Sequence, residues 1–151
     1  MSLSIIIVKI VLITFITLET FNIFVLYFQP TFKYANGVGV FNAWERSKKD
    51  PPMYDFANYL VKWVAGSKVI FILLLIVILV WGKDLVQIIS LGALILATIT
   101  FYFKLYPLIR KMDKNDQITP KGYSTVLALM ILSFILAFTG AFVFGLIMYL
   151  K

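Results

Sequence analysis

Residues 63–81 read WVAGSKVIFILLLIVILVW and contain a single charged side chain, Lys68. The two tryptophans that bound this stretch are 18 residues apart, which is about 27 Å along an α-helix and close to the roughly 30 Å of hydrocarbon in a bilayer. Tryptophan prefers the interfaces on either side of that hydrocarbon. The stretch is therefore predicted to cross a membrane as a helix.

Three further stretches are apolar enough to cross a membrane in the same way. The predicted spans cover about 3–28, 61–82, 85–107 and 122–150, and the longer loops cover about 29–60 and 108–121. The chain is 62% hydrophobic and 14% charged, whereas soluble domains are roughly half apolar and about a quarter charged. The sequence therefore predicts an all-α integral membrane protein that forms one four-helix transmembrane bundle over residues 1–151.

The first long loop carries its own helix signals. In VFNAWERSKK, residues 40–49, the apolar side chains of Val40, Phe41 and Trp44 share one helical face, which predicts a short interfacial helix in the headgroup region. Asp50 is followed by two prolines and is a good helix cap, so the second spanning helix is expected to begin before it enters the bilayer.

Basic residues are distributed unequally between the two sides of the predicted bundle. Of the 14 lysines and arginines, ten fall in or beside the two long loops, three fall at the opposite side, and Lys68 lies within the second span. Because loops rich in basic residues are retained in the cytoplasm, both termini are predicted to lie on the non-cytoplasmic side.

Glu19 is the most unusual residue of the first span. It lies nine residues before Phe28, about 13 Å inside the membrane, where an ionised carboxylate costs at least about 2.5 kcal/mol. Lys68 enters from the same side and is the predicted partner, and Asn22 lies close enough to share a cavity with Glu19. The pair is interpreted either as an ion-handling site or as a structural ion pair that fixes helix register.

Small residues recur along the last two spans. Close backbone approach along such residues is the usual means of helix association in lipid, within one chain or between subunits. The predicted packing residues are Ser90, Ala93, Ala97, Ser133, Ala137, Ala141 and Gly145.

The basic loop residues are expected to contact anionic lipid headgroups rather than nucleic acid, because they adjoin the spanning helices. The predicted headgroup contacts are Lys48, Lys49, Arg110 and Lys111.

The composition also excludes several kinds of metal site and catalytic mechanism. The sequence has no cysteine and no histidine, so sulfur-based and His-based metal sites, His-ligated haem and Ser-His or Cys-His catalysis are excluded. No catalytic residue, metal or cofactor is predicted.

Three functions remain open. The first is an oligomer that moves a small ion or solute using the buried carboxylate, and the second is an accessory subunit of a membrane complex. The third is a membrane enzyme acting on lipophilic substrates. In layout alone, with four helices and basic cytoplasmic loops, the chain is similar to the membrane-associated eicosanoid and glutathione metabolism family, and this similarity carries no residues over.

Overall fold

The computed structural model describes residues 2–33 and 37–151, which form six α-helices and two 3₁₀ turns, Val38–Val40 and Thr100–Tyr102. The helices are α1 (Leu3–Phe28), α2 (Asn42–Ser47), α3 (Pro51–Trp81), α4 (Asp84–Ile99), α5 (Leu105–Lys114) and α6 (Tyr123–Leu150). Four segments are long and apolar enough to span a membrane: α1, α3, α6 and the run Asp84–Lys114 that contains α4 and α5. The prediction of an all-α four-helix membrane bundle is confirmed.

The second spanning helix begins ten residues earlier than the predicted span, at Pro51. The side chain of Asp50 accepts a hydrogen bond from the Met53 amide at 3.4 Å, and the two prolines occupy the first turn. Proline is tolerated there because the first amides of a helix have no carbonyl partner within it. The expected extension of this helix beyond its apolar stretch is thus present.

The segment predicted as a loop over 108–121 is instead helical as far as Lys114. Pro107 cannot donate a hydrogen bond to the carbonyl four residues earlier, at Phe103, so the helix from Asp84 is interrupted there and resumes as α5. The apolar face of α5 contributes Ile109 to a buried cluster that also contains Val40 and Leu127. This packing stabilises a helix whose sequence is too charged to be recognised as part of a span.

The centre of the bundle is α1, which packs along α3 on one side and along α4 and α6 on the other. Its contact residues follow the alternating three and four spacing of a coiled-coil seam. They are Ile5, Val8, Leu12, Phe15, Glu19, Asn22 and Leu26. Phe15 contacts helices on both sides of α1. The centre of its ring lies 6.2 Å from that of Phe71 in α3 and 5.1 Å from that of Phe138 in α6, and both pairs are edge to face.

Both long loops lie at one end of the bundle, called here the loop end; the opposite end, which carries the two chain termini, is the terminal end. Phe41 and Ile118 form an isolated antiparallel bridge, in which the Asn42 amide donates to Gln117 and the Thr119 amide donates to Val40, both at 2.9 Å. The two loops are therefore fastened to each other by backbone hydrogen bonds.

The short helix predicted in the first loop is present as α2, but its apolar face packs on protein. Trp44 is buried beside Leu26 of α1 and Val61 of α3, and Val40 is buried in the cluster beneath α5. The apolar residues of this segment are therefore covered by the neighbouring helices and not left open.

Large apolar side chains cover the outer faces of the spanning helices. Leu74, Leu96 and Leu136 are each more than half exposed. Surfaces of this kind are satisfied by lipid, so their distribution agrees with the assignment to a membrane.

Candidate functional site

The candidate site lies where α1 and α3 pack against each other. Glu19 and Asn22 project from the α1 seam, and Lys68 projects from the facing side of α3. The ammonium Nζ of Lys68 donates to Oε2 of Glu19 and to Oδ1 of Asn22, each at 2.7 Å. One lysine therefore joins a carboxylate and an amide that are one helical turn apart.

The three side chains differ in how far the protein covers them. Asn22 is 5% exposed, whereas the side chains of Lys68 and Glu19 remain 26% and 23% exposed. The pair thus lies at an edge of the α1–α3 contact rather than in the middle of the core. In a single chain embedded in a bilayer, that exposed quarter would face lipid.

Aromatic rings close the seam on the side of the site toward the terminal end. Phe15 precedes Glu19 by one turn, Phe71 follows Lys68 by one turn, and their rings are in contact. This low-dielectric surrounding strengthens the attraction between the two charges and raises the cost of leaving either one unpaired. Chemically, the cluster brings one acidic and one basic side chain into direct hydrogen-bonded contact within the apolar stretches of α1 and α3.

Of the small residues predicted to pack between spans, some are buried and others are exposed. Ser90, Ala141 and Gly145 are buried. Gly145 allows the closest approach, because a Cβ at this position would lie 3.1 Å from side-chain atoms of Ile88 and Val8. The other four are exposed: Ala93, Ala97, Ser133 and Ala137.

The exposed small residues of α4 line an open groove between α3 and α4. This groove has a volume of about 450 Å³, and its walls include Ala93 and Ala97 opposite Leu74 and Ile78. It is almost entirely apolar. The small-residue face of α4 therefore looks toward α3 across a gap, instead of meeting α6.

Two side chains of the described residues, one buried and one partly exposed, make structural hydrogen bonds that the sequence did not predict. Gln87, which is 1% exposed, donates through Nε2 to the carbonyls of Leu79 and Gly82 at 3.0 Å each and so closes the turn from α3 to α4. Asp113 accepts hydrogen bonds from the Gly122 amide and from the amide and hydroxyl of Ser124, and so caps α6. For Gln87 the only sequence signal was a polar residue shortly after the break at Gly82, and Asp113, in the last turn of α5, had no such signal.

The predicted headgroup residues fall into two groups. All four are exposed, but Lys48 is already paired with Glu45 at 2.8 Å. Nearby, Lys121 donates to the Asp116 carboxylate at 2.7 Å, and this hydrogen bond raises the pKa of Lys121.

No cluster of acidic side chains that could hold a metal ion occurs among residues 2–33 and 37–151. No protein family, curated protein or solved structure matches the chain. The fold and the candidate site define a four-helix integral membrane protein with an acidic and a basic side chain paired inside its spanning region.

Proposed function

We propose that the protein assembles from several copies and lets a proton or small cation cross the membrane at the Glu19–Lys68–Asn22 cluster. The observation that carries this proposal is the partial exposure of both charged side chains at a depth where contact with lipid is costly. A second copy placed over this edge would shield the pair and supply the other wall of a path.

The sharing of Lys68 between two acceptors supports a role in ion movement. When Glu19 takes up a proton, the ammonium of Lys68 remains hydrogen-bonded to Asn22. Binding and release then require no change in the α1–α3 packing.

Reconstituted vesicles loaded with a pH-sensitive dye test this proposal. Glu19→Gln should abolish ion flux, because it removes the titrating group and preserves the shape of the side chain. Glu45→Gln is the matched control, since Glu45 is an exposed carboxylate of α2, and it should conduct like the parent. The proposal fails if the parent protein gives no flux above empty vesicles, or if Glu19→Gln conducts normally.

A structural subunit of a larger membrane complex is the second candidate. It is favoured by the position of Glu19 and Asn22 within the α1 seam, since polar residues at such positions specify the register of helix pairs. In this case the isolated protein should be poorly dispersed in detergent. A monodisperse homo-oligomer would contradict this second candidate and favour ion movement.

The proposed orientation places the loop end in the cytoplasm. Ten of the basic residues lie in or beside the two loops of that end, and the bridge between Phe41 and Ile118 joins those loops. Basic segments are retained on the cytoplasmic side during insertion, so the terminal end would be exported.

A further inference from the structure

We propose that α5 carries a discrete binding site for the phosphate of an anionic lipid headgroup. Its basic residues Arg110, Lys111 and Lys114, together with Tyr106 and Asn115, line an open concavity of about 460 Å³. The concavity follows one face of the helix, and all three cations border it. This site is independent of the ion movement proposed for Glu19 and Lys68.

The position of α5 along the chain brings this face to the level of the headgroups. From Asp84 to Lys104 the chain rises about 30 Å if helical, which is the thickness of the hydrocarbon. The helix α5 therefore begins at the level where the hydrocarbon of the bilayer ends. Leu105 and Leu108 are about half exposed beside the basic face, so a lipid whose phosphate contacts α5 can lay its acyl chains against them.

The cations of this face have no acidic partner within the described part of the chain. The single acidic residue of α5, Asp113, is turned toward the start of α6, where its two oxygens accept three hydrogen bonds. Asp116, just beyond the helix, is paired with Lys121. Both carboxylates line a neighbouring concavity that Arg110 and Lys114 also border, but each already accepts hydrogen bonds from other groups, so the cations of α5 keep charge with which to attract an anion.

The site is held in place before any ligand binds. Ile109 anchors the opposite side of α5 in the buried cluster with Phe101 and Leu127, so the helix does not need to order on binding. Arginine can bind two phosphate oxygens at once, and lysine adds a mobile point charge. A rigid arrangement of this kind distinguishes a site from the diffuse attraction of a basic surface.

The test is retention of phosphatidylglycerol, counted by native mass spectrometry after purification from nanodiscs that also contain phosphatidylcholine. In the triple variant Arg110→Gln, Lys111→Gln and Lys114→Gln, affinity should fall on the order of a hundredfold, since each surface charge contributes roughly a fivefold factor. Lys114→Gln alone is the milder variant and should lose roughly fivefold. Circular dichroism checks that each variant is folded.

The matched control removes three exposed basic residues from the first-loop side that are not among the predicted headgroup contacts: Lys33→Gln, Arg46→Gln and Lys62→Gln. The control should retain phosphatidylglycerol like the parent. If both triple variants lost the same amount of bound phosphatidylglycerol, the attraction would be diffuse and the site would be refuted. The site would also be refuted if neither variant lost any. Excess inorganic phosphate should not displace the lipid; displacement would assign the site to soluble phosphate and refute the lipid proposal.

Discussion

Glu19 and Asn22 occupy positions of α1 that would hold apolar residues in an ordinary helix seam. The sequence was sufficient to predict Glu19 and Lys68 as partners, because both lie inside apolar spans and enter from the same side of the membrane. It was not sufficient to predict that one ammonium would bridge Glu19 and Asn22. That geometry depends on side-chain rotamers, which the packing of α1 on α3 selects.

Gly145 makes the sharpest residue-scale prediction. A side chain there would press on Ile88 and Val8 in the core, whereas a Cβ at Gly140 meets nothing within 4 Å. Gly145→Val should therefore lower the free energy of unfolding by about 1–3 kcal/mol through overpacking, and Gly140→Val should change it by less than about 0.5 kcal/mol. Unfolding in mixed micelles measures both, and equal effects would contradict the close packing of α6.

At the scale of elements, the sequence predicted helices wherever local signals and composition agreed. Asp50 and the prolines after it marked the start of α3 correctly. The missed element was α5, because its charge suggested a loop while its apolar residues, such as Ile109, find their partners only through tertiary contacts with distant loops. The sequence also did not predict which helix each row of small residues contacts, because residue spacing alone does not identify the neighbouring helix.

The cap that joins α5 to α6 should be measurable by hydrogen exchange. Asp113→Ala removes the acceptor for the amides of Gly122 and Ser124, which should cost about 0.5–2 kcal/mol. Amide exchange in the first turn of α6 should accelerate correspondingly. Asp55→Ala, an exposed carboxylate on α3, is the control and should leave that turn unchanged; unaltered exchange in Asp113→Ala would show that the cap contributes nothing.

At the scale of the whole molecule, composition alone decided the class of protein. Helices this apolar are stable only when lipid surrounds their outer faces. Because the number of spans is even, the two termini lie at the same end of the bundle. What composition could not supply is the arrangement around α1 and the gap between α3 and α4. These depend on which side chains interlock across helices, and not on how apolar each helix is.

Orientation can be measured directly because the chain contains no cysteine. Asn115→Cys introduces a thiol at the loop end, and Lys151→Cys introduces one at the terminal end. In intact cells, a membrane-impermeant maleimide should label Lys151→Cys and should label Asn115→Cys only after the membrane is opened. The reverse pattern would contradict the proposed orientation without affecting the fold.

The central claim is that Glu19 and Lys68 stabilise each other inside the membrane-spanning region. A double-mutant cycle with Glu19→Gln and Lys68→Met, read as the free energy of unfolding in lipid, tests it most directly. Each single variant should lose about 1–3 kcal/mol, because it leaves a partly buried charge without its opposite charge, and the double variant should lose at least about 1 kcal/mol less than the sum. A parallel cycle on the exposed Glu45–Lys48 pair should show coupling of about 0.5 kcal/mol or less. Additive losses at Glu19 and Lys68, within about 0.5 kcal/mol, would contradict the claim.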